Sequence, residues 1–344
     1  MSDPGASSDG VFDVTILGGG PTGLFGVFYA GMRHMRTLVI DALSELGGQL
    51  TALYPEKYVY DVGGFPKILA RELAEGLIEQ ALQFHPEVGL EETALDLEAA
   101  ERDAEGDVAM WRLRTDREER LTRTLVISAG IGAFEPRRLK VDGVERFEGR
   151  GMQYLVKDKM ALAGRRVLIV GGGDSAFDWA DNLRGIAEAI TLIHRRDGFR
   201  AHEGTVEAVM ASGDVDVRTF HEVRSVAGDE RVEGVTIYDN RTDGEQTLEV
   251  DALLVNIGFK ADLGPVKRWG LAMEKNGIVV NERMETNLPG VYAAGDVAHH
   301  GGKLPLIATG FGEVAIAVNY AKSRIEPGAR AFPGHSTVEK WRDS

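Results

Sequence analysis

The fold is decided by residues 11–41, which read VFDVTILGGGPTGLFGVFYAGMRHMRTLVID. The apolar run that ends at Leu17 is typical of a buried strand, and the glycine-rich segment after it opens a helical pattern that extends to about His34. A second apolar run, residues 37–40, ends at Asp41. This order of strand, glycine turn, helix, strand and acid predicts a βαβ unit that binds the ADP half of a dinucleotide.

The motif G-x-G-x-x-G falls on Gly18, Gly20 and Gly23. We expect the first glycine to permit a tight turn, the second to let the main chain approach a pyrophosphate, and the third to let helix and strand pack closely. The helix start at Pro21 and Thr22 offers unpaired N–H groups and roughly half a positive charge to the phosphates. The alternative is a glycine-rich turn that binds nothing, but it leaves the order of strand, helix and acid unexplained.

The composition limits the class of protein. The chain has 344 residues, 43% of them hydrophobic, which exceeds one typical core and predicts two domains. A net charge of −15 disfavours nucleic acid and anionic membranes as partners. The chain has no cysteine, which excludes disulfides, thiolate metal sites and a dithiol redox centre, and we expect no metal site. The first residues do not resemble a signal peptide and no apolar run reaches ~18 residues, so we expect a cytoplasmic protein.

The βαβ pattern recurs at residues 167–194. An apolar strand leads into G-x-G-x-x-A, a helix extends to about Arg184, and a second strand ends at His194. The same spacing separates Gly18 from Asp41 and Gly171 from His194, so we predict two dinucleotide-binding domains. The candidate binding residues of the second glycine loop are Gly171, Gly173, Asp174, Ser175 and Ala176.

The two units differ in charge where their second strands end. Asp41 would repel an added phosphate and suits a free ribose. The second unit ends in Arg195 and Arg196, with Arg200 shortly after, and arginine there suits the 2′-phosphate of NADP. Two such arginines would favour NADPH by roughly 3–6 kcal/mol. The alternative is that these arginines only form a solvated face.

The remaining pattern predicts further elements. Leu69, Leu73, Leu77 and Ala81 recur every four residues and indicate the buried face of a helix. We expect antiparallel strands at about 94–100, 109–115 and 121–128, single strands at about 248–257 and 291–296, and a long helix at about 306–322.

Together, several motifs resemble the flavoproteins of the thioredoxin reductase type, which have two dinucleotide-binding domains. These are the paired glycine loops, GGQL at 47–50, HRRDGFRA at 194–201 and AAGDV at 293–297. The resemblance implies an α/β fold in which an NADPH domain, 134–262, is inserted into an FAD domain, 11–130 with 270–325. It also implies that Gln49, Leu50 and Asp296 bind FAD, although Gly-Asp after a strand can also be only a turn.

Thioredoxin reductase passes electrons from flavin to a CxxC motif, and this chain has no cysteine. Residues 53–66 and a C-terminal segment, 326–344, resemble instead the thioredoxin-reductase-like ferredoxin–NADP⁺ reductases. That resemblance implies that Tyr54 stacks on one face of the flavin, and that His335 covers the other from the partner subunit of a homodimer. Ser336 and Thr337 would lie beside it. The alternatives are a core tyrosine and an exposed tail histidine.

The resemblance implies an FAD-dependent oxidoreductase that moves electrons between NADPH and a one-electron carrier, ferredoxin or flavodoxin. One alternative is an NADPH-dependent flavin reductase that acts on a small disulfide or quinone. Another is a non-catalytic sensor of flavin or NADPH.

Overall fold

A computed structural model describes residues 10–130, 132–156 and 158–334, without the side chains of residues 133–135 and 259–261. The described part of the chain forms two main sheets with helices beside them, together with smaller sheets.

The chain divides into two compact units. The first unit consists of two segments of the chain, one that ends at Ala133 and one that begins at Ala261. The second unit is Phe134–Lys260. The second unit is therefore inserted in sequence into the first. The assignment of FAD to one unit and NADPH to the other, with the expected boundaries, stays a prediction.

The first segment begins with the expected βαβ unit. Pro21 is the first residue of its helix, where the fixed φ of proline is already helical. The helix predicted from the leucine repeat is present, with Leu73, Leu77 and Ala81 buried, whereas Leu69 precedes it and is half-buried. The elements are β1 Val11–Leu17, α1 Pro21–Met32, β2 Thr37–Asp41, α2 Gln49–Ala52, β3 Tyr58–Val59, β4 Ile68–Leu69, α3 Ala70–Leu82, β5 Glu87–Leu90, β6 Ala94–Arg102, β7 Val108–Thr115 and β8 Glu119–Ile127.

The inserted segment holds the repeat of the βαβ unit. The prediction of one strand at 248–257 is wrong, because the chain leaves one sheet at Glu249 and enters another at Ala252. Between them the carboxylate of Asp251 accepts hydrogen bonds from the main chain and guanidinium of Arg166. The elements are β9 Ala133–Pro136, β10 Met152–Gln153, β11 Arg166–Gly171, α4 Asp174–Asn182, β12 Ala189–His194, α5 Glu203–Ser212, β13 Val215–Thr219, β14 His221–Ala227, β15 Gly234–Asp239, β16 Glu245–Glu249, β17 Ala252–Asn256 and β18 Phe259–Asp262.

The last segment returns to the first unit. The strand predicted at 291–296 ends earlier, at Ala293, because Gly295 has φ +77° and begins a 3-10 turn, Gly295–Val297. The long helix is present. The elements are β19 Met273–Glu274, β20 Gly277–Val279, β21 Val291–Ala293, β22 Ala298–His299 and α6 Ile307–Ile325.

The main sheet of the first unit has the strand order β5-β2-β1-β8-β7-β6, and β21 also pairs with β8. The prediction that β8 is only antiparallel is incomplete. Its first half is antiparallel to β7, but along β1 and β21 it runs parallel, which extends the buried parallel layer. Ile16, Leu38 and Leu125 are fully buried in this layer, which fixes the glycine turn at its edge.

The main sheet of the second unit has the order β10-β17-β11-β12-β13, and its pairs are parallel. A separate antiparallel sheet contains β14, β15 and β16. The prediction of two Rossmann-like domains is confirmed, because each unit carries strand, glycine turn, helix and parallel strand in order. None of the described helices combines the length and the hydrophobicity that a bilayer crossing requires.

Candidate functional site

The three motif glycines of the first loop differ in whether a side chain would fit. There is room for a Cβ at Gly20 and none at Gly18 or Gly23. Gly18 has φ +105°, and a Cβ there would lie 2.5 Å from the Ser128 carbonyl oxygen. A Cβ on Gly23 would overlap the Gly18 carbonyl oxygen. At Gly20 the nearest atom to such a Cβ is the Gly48 Cα at 3.8 Å, so the loop is open at this glycine. Two glycines therefore serve the turn and the packing, and the third keeps the approach to the main chain free.

Helix α1 begins at this opening. Its N-cap is Gly20, which has no side chain to accept the first N–H groups. Those groups and the positive end of the helix dipole suit an anion, and a pyrophosphate fits the open glycine position. The loop can therefore hold the phosphates of a dinucleotide.

Asp41 is held in place by main-chain hydrogen bonds. Its Oδ2 accepts from the N–H of Gly19 at 2.6 Å and its Oδ1 from the N–H of Leu43 at 2.8 Å. Burial raises the pKa of this carboxyl, and the hydrogen bonds from Leu43 and Gly19 oppose that shift. The acid is thus tied to the glycine loop and keeps acceptor capacity for ribose hydroxyls.

The predicted residues of the segment after β2 have different environments. A Cβ on Gly130 would lie 3.4 Å from Nε2 of Gln49, so this amide is beside the end of β8. Leu50 is fully buried in the core, so a contact with a cofactor would come from its main chain. Tyr54 packs partly against the same core. Burial, with the negative charges of Asp296 and Asp61, raises the pKa of Tyr54 to about 12, so its hydroxyl stays protonated.

The Gly295–Val297 turn contacts the start of α1. A Cβ on Gly295 would lie 2.8 Å from Oγ1 of Thr22, so only glycine fits. Asp296 is exposed and lines a cavity of about 300 Å³ with Gly130 and Lys303. Although the residue is accessible to solvent, partial desolvation of its carboxyl in the cavity wall raises the pKa of Asp296; the charge of Lys303 opposes that shift, and the charge of Glu313 adds to it.

The first unit therefore brings together residues that are far apart in sequence: the glycine loop with Pro21 and Thr22, Asp41, Gln49, Tyr54 and Asp296. Their predicted roles toward a cofactor are not tested by this geometry. His335, Ser336 and Thr337 lie outside the described residues, so their predicted roles also stay predictions.

The second glycine loop follows the same plan. A Cβ on Gly171 would overlap the Asn256 carbonyl oxygen. A Cβ on Gly173 would have no other atom of the described residues within 4 Å. Helix α4 has Gly173 as its N-cap and no side-chain cap, so its first N–H groups are available to an anion. Ala176 is buried and Ser175 half-buried on its first turn.

The arginines lie on a loop that is fastened to this glycine loop. The N–H of Arg200 donates to the Gly172 carbonyl at 2.7 Å, and the N–H of His202 donates to Oδ1 of Asp174 at 2.8 Å. Arg195, Arg196 and Arg200 are exposed, and in the described ranges none has a carboxylate within ion-pair distance. Three guanidinium groups are thus available to a phosphate beside the second glycine loop.

Two residues that the sequence analysis did not name as binding residues belong to this site. His194 packs over Gly172, where an added Cβ would overlap the imidazole ring. Burial lowers the pKa of His194, and the charges of Arg195, Arg196 and Arg200 lower it further. A hydrogen bond with the main chain of Gly198 opposes this shift. Oδ1 of Asn256 is buried without a hydrogen-bond partner among the described residues. Its position at the end of a parallel strand was the available signal, because ligands of open α/β sheets bind there.

A donor from a bound dinucleotide would satisfy Asn256, so the second site fits a nucleotide ligand. Within the described ranges no group of three or more histidine, aspartate or glutamate residues is arranged to hold a metal ion. The open glycine positions, the oriented carboxylate of Asp41 and the uncapped start of α4 suit cofactor binding through phosphate and ribose contacts.

Comparison with known proteins agrees with this geometry. Residues 12–321 match the family described as pyridine nucleotide-disulphide oxidoreductase. A ferredoxin–NADP reductase of Halalkalibacterium halodurans is 51% identical over 328 residues, which is 95% of this chain and 97% of that protein. A ferredoxin–NADP reductase of Thermus thermophilus is 51% identical over 329 residues, 94% of this chain and 96% of that protein.

The solved structures show the fold. Thioredoxin reductase of Lactococcus lactis superimposes with a TM-score of 0.76 at 24% identity, over 91% of this chain and 99% of that chain. Thioredoxin reductase of T. acidophilum gives the same TM-score and identity over 92% and 99%. These structures are similar in architecture, while the closer sequence relatives carry the name of a different activity.

Proposed function

Because the chain belongs to the pyridine nucleotide-disulphide oxidoreductase family, and within it to the ferredoxin–NADP reductases, we propose that it moves electrons between NADPH and a one-electron carrier, ferredoxin or flavodoxin. It is an FAD-dependent oxidoreductase that uses FAD and NADPH. The observation that carries the proposal is a pair of glycine loops with opposite charge beside them, in a chain without a thiol. A dithiol relay needs cysteine, so electrons must leave the flavin directly.

We assign FAD to the first unit. The open Gly20 position and the uncapped start of α1 support a place for its pyrophosphate, and the oriented carboxylate of Asp41 supports a place for its ribose. Asp296 lines a cavity beside Gly130, and the Gln49 amide lies next to that glycine, which supports a place for another part of the cofactor there. The residues of this assignment are Gly18, Gly20, Pro21, Thr22, Gly23, Asp41, Gln49, Leu50, Tyr54 and Asp296, with His335, Ser336 and Thr337 of the C-terminal segment.

We assign NADPH to the second unit. The uncapped start of α4 supports a place for the pyrophosphate, and the arginine loop supports a place for the 2′-phosphate. When both are bound, the cofactors supply the hydride and single-electron chemistry, and the protein supplies binding and orientation. The residues of this assignment are Gly171, Gly173, Asp174, Ser175, Ala176, Arg195, Arg196 and Arg200.

Tyr54 has a defined part in this proposal. A tyrosine hydroxyl is already protonated at neutral pH, and burial raises the pKa of Tyr54 further, to about 12. A neutral aromatic ring adds no charge beside the flavin and excludes water from the face that it covers. A homodimer and a cytoplasmic location stay predictions.

The experiment is an anaerobic titration of the full-length protein with NADPH, followed by the flavin absorbance and then by addition of ferredoxin. We expect NADPH to bleach the flavin spectrum and ferredoxin to restore it. NADPH-driven reduction of cytochrome c, with and without ferredoxin or flavodoxin, gives a second readout. If neither carrier stimulates cytochrome c reduction, but a quinone or a disulfide accelerates NADPH oxidation, the chain would be assigned to the reductases of small acceptors. A flavin that NADPH does not bleach would make it a sensor.

A further inference from the structure

A buried ionic cluster lies beneath the Gly295–Val297 turn, and the proposed function does not use it. Glu313 of α6 is the central residue, with a side chain only 6% exposed. Its carboxylate accepts from Nζ of Lys303 at 2.8 and 2.7 Å, from Nε2 of His300 at 3.0 Å and from the main-chain N–H of Gly295 at 2.8 Å. We call Glu313, Lys303 and His300 the Glu313 cluster.

The cluster joins three parts of the first unit that are separate in sequence. Glu313 belongs to a long helix, Lys303 and His300 to the loop before that helix, and Gly295 to the turn that presents Asp296. A buried carboxylate is costly unless it is paired and hydrogen-bonded, and here its donors include an ammonium group and a main-chain amide. The pairing therefore fixes the Gly295 peptide relative to the helix.

The same turn is held from the opposite side by α1. Gly295 lies against Thr22, and a Cβ on Gly310 of α6 would overlap the hydroxyl of that threonine. The start of α1, the turn and α6 thus meet at Gly295. With the backbone of Gly295 restrained, the direction of the neighbouring Asp296 side chain is restrained as well.

One member of the cluster, Lys303, also reaches the cavity. Lys303 lines the cavity beside Asp296, and its charge acts on that carboxylate. Its side chain is 11% exposed and its ammonium is engaged by Glu313, so it cannot swing freely toward Asp296. Glu313 thereby keeps Lys303 at a fixed place in the wall.

We infer that Glu313, through the Gly295 amide and Lys303, is a positioning residue for the FAD site. It presents the Asp296 carboxylate to the flavin nucleotide without touching the nucleotide itself. The inference rests on the proposed function in one respect, the assignment of FAD to the first unit.

The test is Glu313→Gln in the full-length holoprotein, with FAD dissociation measured by the fluorescence of flavin released on dilution. The amide has one acceptor in place of a carboxylate, so the Gly295 N–H and the Lys303 ammonium lose their charged acceptor. We expect the Kd for FAD to rise about tenfold, the lower end of what a charged hydrogen bond contributes. The circular dichroism of bound flavin should also change, which a purely structural role would not produce.

Glu326→Gln is the matched control. Glu326 follows the same helix and pairs with Lys322, but its carboxylate is largely exposed. We expect this variant to bind FAD with the wild-type Kd. Lys303→Met gives a second test if Glu313→Gln does not fold, and the Kd should rise in the same direction. The double variant should lose no more affinity than Glu313→Gln alone, because the two residues act as one unit.

A wild-type Kd and a wild-type flavin spectrum in Glu313→Gln, or in Lys303→Met if only that variant folds, would overturn the inference. The cluster would then only stabilise the first unit. A wild-type protein that binds no FAD would instead overturn the proposed function, so the two failures are distinguishable in one experiment.

Discussion

The two βαβ units share the same backbone arrangement but differ in the charged residues at the end of the second strand, which we call the tip of each unit. The tip is Asp41 in the first unit and Arg195 with Arg196 in the second. The Asp41 carboxylate is committed to main-chain donors, Gly19 and Leu43, so it is oriented by its own loop. Arg195 and Arg196 are exposed, with no carboxylate partner in the described part of the chain. An oriented acid suits hydroxyl donors and opposes a phosphate, whereas uncommitted arginines attract one. One scaffold can therefore select two dinucleotides through the side chains after its second strand.

The units also differ at the third position of the glycine motif. Gly23 has no space for a Cβ, because it would overlap the Gly18 carbonyl, whereas the second unit holds Ala176 buried at the equivalent place. The helix and strand of the first unit therefore approach each other more closely at this point.

We expect the largest effect from substitutions that exchange the glycine and alanine at this position. Gly23→Ala should destabilise the first unit by about 3 kcal/mol or more, because the added methyl has to displace main chain. We also expect the protein to lose bound FAD. The reciprocal change, Ala176→Gly, should cost less, about 1–2 kcal/mol, because it lowers helix propensity and removes one buried methyl group. Thermal unfolding and the flavin absorbance of the full-length variants measure both. Wild-type stability and flavin content in Gly23→Ala would contradict the packing argument.

We expect the second largest effect when the positive charge at the tip of the second unit is removed by substitution. Arg195→Ala with Arg196→Ala should lower kcat/KM for NADPH about 100-fold, because two charged hydrogen bonds to a phosphate are lost. The value for NADH should not change, since it has no 2′-phosphate. Arg218→Ala is the control, because that arginine is paired with Asp216 at 2.7 Å in the same unit. An equal loss with both nucleotides would show that the arginines do not read the 2′-phosphate.

We expect a smaller effect when the negative charge at the tip of the first unit is removed by substitution. Asp41→Asn should raise the Kd for FAD about tenfold, because an amide cannot accept from Gly19 and Leu43 with both of its ends. Binding of NADP⁺ should be unaffected. Asp96→Asn, which alters an exposed pair with Arg114 in the same unit, is the control. Unchanged FAD affinity would mean that the carboxylate serves only its own loop.

The smallest effect concerns His194 and pH. Burial and the neighbouring arginines lower its pKa in the folded protein, so the unfolded chain binds the proton at higher pH. The contribution of His194 to stability is therefore fully present above the ordinary histidine pKa of about 6.5 and is lost as the pH falls from there through its lowered folded-state pKa. His194→Gln should weaken this dependence. Denaturant midpoints from about pH 8 to about pH 5 measure it, and the same pH dependence in both proteins would exclude His194 as its source.

The sequence predicted the main elements because their signals are local. Apolar runs, the glycine spacing and the leucine repeat of α3 depend on neighbouring residues and on the period of one helix or strand. It was less successful where two elements meet. The break between β16 and β17 depends on Asp251 pairing with Arg166, and the parallel partners of β8 come from distant segments.

The amino-acid sequence was enough to identify the two nucleotide units, the opposite charges after their second strands and the absence of any thiol. The packing of the folded chain was needed to show that Glu313 lies under Gly295, that Asn256 pairs with Gly171, and which strand ends share an edge. The physical reason is distance along the chain. A turn or a helix is stabilised by contacts within a few residues, so its pattern is written locally. A contact between remote residues follows from how the elements pack to bury apolar surface, and no local pattern encodes it.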